Sequence, residues 1–221
     1  MKTQIGKRTL ESAICVLCGE GGATTKEHIP PRALFVTRPR EYLSVPACEK
    51  CNHSTKLEDE YLLHVMSGGS LWGLGRDVWK DKVRPKLQTR PKTRFGLRNQ
   101  LLVRNLKINP NESMRFPVIL INRKRVEKSL RKLVYGFYWW HTGSILSKHA
   151  EMKFQMLNPV DGPKYFADPK NKEFFDQTVM GVYADEEVRK TFFYTIAISN
   201  DLALFYFFFY KQNVFIAAVH I

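Results

Sequence analysis

Apolar positions recur at helical spacing in two places along the chain. LEDEYLLHVM (Leu57 to Met66) opens with acidic residues and continues as an apolar face, which predicts a helix. RKRVEKSLRKLVYGFYWWHTG (Arg123 to Gly143) puts Val126, Leu130, Leu133, Val134, Phe137 and Tyr138 on one stripe, with Gly143 as a natural stop. Elsewhere the pattern is that of strands. TFFYTIAI and LALFYFFFY flank a Ser199-Asn200-Asp201 turn and predict two buried strands, and Val214 to Val219 predicts another. Arg115 to Ile121 and Gln100 to Ile108 also read as strands, the latter fed by an extended arm because Pro85 and Pro91 argue against one continuous helix there. The expected fold class is α+β: a small N-terminal module, a basic segment, then an α+β C-terminal domain. The corresponding boundaries are residues 1–74, 75–110 and 111–221.

Charge changes this picture. Across 221 residues the formal net charge is +14, and the surplus is concentrated. Residues 76–107 carry eleven lysines and arginines against Asp77 and Asp81. A surplus of this size and sign points to polyanions. Arg76, Lys80, Lys82, Arg84, Lys86, Arg90, Lys92, Arg94 and Arg98 are the candidate phosphate contacts. No recognition helix is visible among them, so they are expected to position a backbone and not to read bases. Arg123, Lys124, Arg125, Lys128, Arg131 and Lys132 on the long helix extend the same expectation. The longest apolar run, Leu202 to Tyr210, has nine residues, against the roughly 20 that a membrane-spanning helix needs. The N-terminal stretch has no apolar signal region. A soluble, cytoplasmic protein without a membrane partner is expected.

The four cysteines form two CxxC pairs, Cys15/Cys18 and Cys48/Cys51, separated by 29 residues. Each pair closes a tight knuckle, and two knuckles supply the four thiolates that a structural Zn²⁺ prefers. Between the knuckles lies Lys26-Glu27-His28-Ile29-Pro30-Pro31, and Asn52 follows Cys51 directly. CVLC, EHIxP and CEKCN at these offsets resemble the HNH endonuclease superfamily in its four-cysteine form, over roughly Ile14 to Glu60, which implies that residues 1–74 form a small zinc-bound, treble-clef-like ββα module.

That resemblance implies a metal-dependent endonuclease that hydrolyses phosphodiester bonds. His28 would act as general base, and Glu27 and Asn52 would hold a catalytic Mg²⁺ or Mn²⁺, with His53 as the alternative ligand. The chemistry suits these residue types. A neutral imidazole takes a proton from water at pH 7, and a hard divalent ion takes oxygen ligands. On a strand, adjacent Glu27 and His28 point to opposite faces. Many members carry Asn shortly before the second knuckle; here that stretch is Tyr42-Leu43-Ser44-Val45-Pro46, so another group must orient His28.

DNA is the expected substrate, with RNA left open. A cut on both strands needs two active centres, which is the ground for expecting a homodimer. Members of this layout are linked to restriction or defence. Two alternatives come from other classes: a non-catalytic zinc-dependent nucleic-acid-binding protein with a decayed HNH site, or an interaction subunit of a defence complex. His64, His141, His149 and His220 carry no partner pattern, and Glu58-Asp59-Glu60 reads as a first helical turn complementing the dipole.

Overall fold

The terminal apolar run is continuous, not alternating, because both faces of its strand are covered. The computed structural model describes residues 13–36, 42–70, 72–89, 101–109, 112–157, 161–181 and 186–221. Five antiparallel strands form the main sheet: β5 (Met152–Leu157), β6 (Val179–Gly181), β7 (Phe192–Ile198), β8 (Leu202–Phe209) and β9 (Asn213–His220), in the order β5-β9-β8-β7-β6. Along β8, Ala203, Phe205, Phe207 and Phe209 point to one face and join the main core. Tyr206 and Phe208 point to the other, where helices α6 (Asp161–Ala167) and α7 (Pro169–Asp176) cover them with Tyr165, Phe166 and Phe175. The fold is therefore α+β, as the patterning predicts.

The first face packs on helix α5 (Arg123–Thr142). Asn122 caps its start by accepting from Arg125 N–H, and Gly143 ends it with a left-handed φ of 75°. Phe137 is the contact point: its ring stacks on Tyr194 at 3.7 Å and lies 5.9 Å from both Phe192 and Phe207. Offset aromatic packing of this kind adds to plain area burial.

The other side of α5 packs on the N-terminal module. Here β1 (Thr25–Ile29) and β2 (Leu43–Ala47) form an antiparallel hairpin, followed by α1 (Glu49–Ser54) and α2 (Lys56–Gly68). One apolar cluster runs from Val16, Ile29 and Val45 through Leu62 and Met66 to Leu130, Leu133 and Phe207. The core thus crosses the boundaries expected at residues 74 and 110.

The basic segment departs from its expected extended form. Residues 73–89 are helical: α3 (Gly73–Val78), a π turn (Trp79–Val83) and α4 (Arg84–Thr89). The π turn explains how Pro85 is tolerated. Arg84 N–H donates to Trp79 O, five residues back, which widens the helix just before the proline ring. Beyond it, β3 (Leu101–Asn109) and β4 (Glu112–Ile119) form a separate hairpin. Among the described residues no helix is long and apolar enough to cross a membrane.

Gly136 marks the closest approach of α5 to the hairpin. A Cβ there would lie 2.7 Å from Ile29 Cδ1 and Cγ1, and Ile29 is fully buried, so the added methyl would press into a packed core. Gly136→Ala is expected to destabilise the protein by about 1–3 kcal/mol in chemical denaturation. Ile29→Val in the same chain should recover part of that loss, because the two changes meet at one contact.

Candidate functional site

The two knuckles meet as expected. The Sγ atoms of Cys15, Cys18, Cys48 and Cys51 all lie within 4.8 Å of one another. Four thiolates at about 2.3 Å from a tetrahedral zinc are about 3.8 Å apart, so the cluster fits that ion with slight contraction. Local backbone bonds shape it: Cys15 N–H donates to Glu20 O at 2.7 Å, Gly19 takes a left-handed φ of 74° after Cys18, and Cys51 N–H points at Cys48 Sγ at 3.4 Å. Burial pushes the Cys18 and Cys51 thiols up, while at Cys48 burial is outweighed by hydrogen bonds from Cys51 N–H and the neighbouring thiols, which bring it down. Zinc would supply a cation there and tie the start of the chain to the hairpin, since Val16 N–H donates to Pro46 O on β2.

The hairpin presents Glu27 and His28 on opposite faces of β1. Glu27, opposite Val45, turns inward and is only 7% exposed. It does not face open space. Lys132 reaches it from α5, with Nζ 3.0 Å from Glu27 Oε1. The same ammonium donates to Asp59 on α2, and Ser129 Oγ donates to Asp59 Oδ1 at 3.1 Å. Lys132 is 2% exposed and Asp59 8%. Two carboxylates thus share one buried ammonium. Burial raises the pKa of both Glu27 and Asp59, and Lys132 opposes that shift in each case.

Asn52 ties the helix after the second knuckle to the hairpin through its amide nitrogen. Its Nδ2 donates to Thr25 Oγ1 at 3.0 Å and to Lys26 O at 3.3 Å, tying α1 to β1, while Thr25 Oγ1 donates to Ala47 O across the hairpin. His53 is exposed near the end of α1. The Glu27 carboxylate shares the Lys132 ammonium with Asp59, and a divalent ion at Glu27 would have to compete with that ammonium.

His28 lies on the other face, half-buried and opposite Ser44. Its ring is 5.1 Å from that of Tyr42, which also meets Phe35 edge-on at 5.5 Å. Tyr42 therefore flanks the imidazole from the stretch in which the resemblance led to an expected Asn.

The basic tract divides. Lys82 turns inward: its Nζ donates to Ala33 O at 2.8 Å and to Phe35 O, and burial lowers its pKa. Arg76, Lys80 and Arg84 are exposed and Lys86 half-exposed. Arg90, Lys92, Arg94 and Arg98 lie outside the described residues. Of the remaining candidates, His64 is buried in α2. Burial first, then the charges of Lys86 and Arg125, bring its pKa down to about 4, so it is neutral at pH 7. His141 Nε2 lies 2.9 Å from Tyr194 Oη. Asp59 and Lys132 are the site residues that local pattern does not reveal. Lys132 lies 105 residues from Glu27, and no periodicity links them.

Known protein families, characterised proteins and solved structures were all compared with this chain, and none matches it.

Two expectations follow. The purified protein should carry about one zinc per chain by elemental analysis, and Cys48→Ser should lose both the metal and the cooperative melt of the module. A wild-type chain free of zinc after purification in chelator-free buffer would refute the assignment.

Lys132→Met should cost about 3–5 kcal/mol by leaving two buried carboxylates uncompensated. A carboxyl raised on folding holds its proton better in the native state, so its contribution to stability falls as pH rises through the raised pKa. The Lys132→Met deficit should therefore be larger at about pH 8 than at about pH 5, as read by urea denaturation at both.

Proposed function

We propose that this chain is a zinc-stapled nucleic-acid-binding protein built on an HNH-type hairpin and helix. In it the carboxylate that a nuclease of this layout turns to a divalent ion is held by Lys132. The observation that carries the proposal is the buried contact of Lys132 with Glu27 and Asp59. An ammonium between two carboxylates supplies the positive charge that a catalytic ion would otherwise bring. It also tethers the strand bearing Glu27 to α5. Binding then rests on charge. The net surplus of +14, with Lys80, Arg84 and Lys124 exposed, suits a phosphate backbone held without sequence readout.

A second reading is a metal-dependent DNA endonuclease with His28 as general base. It is favoured by the position of His28 on the face of β1 opposite the ion pair, half-exposed beside Tyr42. This reading requires Lys132 to leave Glu27 before a Mg²⁺ or Mn²⁺ is held there.

The test uses the purified full chain. Supercoiled plasmid is incubated with wild type and His28→Ala in Mg²⁺, in Mn²⁺ and without added divalent ion, and retention of a labelled duplex is measured in chelator-free buffer without added divalent ion, so that the structural zinc stays in place. Salt-sensitive binding without nicking in any arm is expected. Nicking by the metal-loaded wild type that His28→Ala loses would replace the binding reading with the second. Absence of binding at low salt in chelator-free buffer, with zinc still in the protein, would overturn the proposal itself.

A further inference from the structure

The segment after His28 is a buried turn with one exposed cation. Arg32–Leu34 form a single 3₁₀ turn in which Pro31, Leu34 and Phe35 are buried and Arg32 is exposed. Three successive carbonyls of this segment are held from distant parts of the chain. Lys82 in the π turn donates to Ala33 O and Phe35 O, and Tyr210 Oη donates to Leu34 O at 2.7 Å. Tyr210 is itself fixed. It is 3% exposed and begins two successive left-handed residues, Tyr210 and Lys211, in the β8–β9 turn. Such backbone persists where the surroundings over-determine it. The Arg32 backbone therefore has little freedom to lose on binding.

The side chain is equally placed. The Arg32 guanidinium lies 5.4 Å from the centroid of Tyr42, whose ring is 5.1 Å from that of His28. Among the described residues, no carboxylate is paired with it, whereas Arg123, Lys128, Lys132, Lys148, Lys153, Lys172 and Lys190 all have one. Arginine keeps its charge at any working pH and presents a planar fork that matches two phosphate oxygens. The Lys82 bonds also bring the basic helix against this turn, so that exposed Lys80 and Arg84 lie on the element that clamps it.

We infer that Arg32 is the phosphate anchor of the nucleic-acid surface, engaging one backbone phosphate beside His28. The inference rests on the nucleic-acid-binding function proposed above and names the contact that orients a bound strand on the His28 face. It needs no metal and no cleavage. Because it is a backbone contact, it carries no base preference.

Fluorescence anisotropy with the full chain tests it, using a short labelled DNA duplex, its single strand and an RNA strand of the same sequence across a salt series. One lost phosphate contact lowers the slope of log affinity against log salt by about one. At about 0.15 M salt it weakens binding about fivefold, the factor one released counterion supplies. Arg32→Ala should show both effects on every probe that the wild type binds, with an unchanged melting temperature because the side chain is exposed. Arg32→Lys should keep the slope and lose part of the affinity. Lys172→Ala, an exposed lysine paired with Asp176 on α7, should alter neither.

An Arg32→Ala protein with the wild-type slope and affinity overturns this inference alone. So does an equal loss in Lys172→Ala, which would mark a general charge effect. Failure of the wild type to bind any probe overturns the proposed function together with it.

Discussion

The ammonium of Lys132 holds the two halves of the molecule in register. It reaches from α5 into the space between β1 and α2, and its partners Glu27 and Asp59 belong to the hairpin and to the helix that follows the second zinc knuckle. Hydrophobic contact alone would let α5 slide on the module, since apolar burial is not directional. An ion pair with nearly complete burial is directional, and breaking it leaves charge where water cannot reach. Gly136, one helical turn further along, then lets α5 approach Ile29 closely enough for the contact to form. The four-cysteine cluster, which suits a zinc ion, would fix the module from inside, and Lys132 fixes it from outside.

This arrangement alters how the charge of the chain is to be read. Lys82 and Lys132 look, in sequence, like two more members of a basic surface. Both are turned inward, one onto backbone carbonyls and the other onto carboxylates. Their hydrogen bonds replace the water they give up, which is what makes a buried lysine tolerable. Arg32 is held in place through Lys82, on the helical element that also carries exposed Lys80 and Arg84. Burying some of the charge thus orders the rest.

Much of the frame is legible from local sequence. The knuckles follow from CxxC spacing, the hairpin from the strand-like stretch that alternates Glu27 and His28, α2 and α5 from apolar periodicity, and β7, β8 and β9 from apolar runs broken by turn residues. The helix through Pro85 was not legible, because a π turn is a backbone adjustment with no residue signature of its own. Short strand β6 and helices α6 and α7 carry too little periodicity to stand out. The site suffers most from this limit. Asp59 has the composition of an ordinary first-turn acid, and only the arrival of α5 gives it a buried partner. Tyr42, in place of an expected Asn, flanks His28 through ring contact, a role that residue type alone does not announce.

The geometry also separates two tasks that one dipeptide combines in the nucleases it resembles. Glu27 faces inward and is spent on holding β1 to α2 and α5. His28 faces outward, toward Tyr42 and the clamped turn that carries Arg32. Alternation along a strand makes this division unavoidable once α5 covers one face of the hairpin. The face toward α5 then carries the ion pair, while the Arg32 turn on the other side of the hairpin does not depend on it. Its rigidity comes from Lys82 and Tyr210 and not from the Glu27 carboxylate, whether or not a divalent ion ever reaches Glu27.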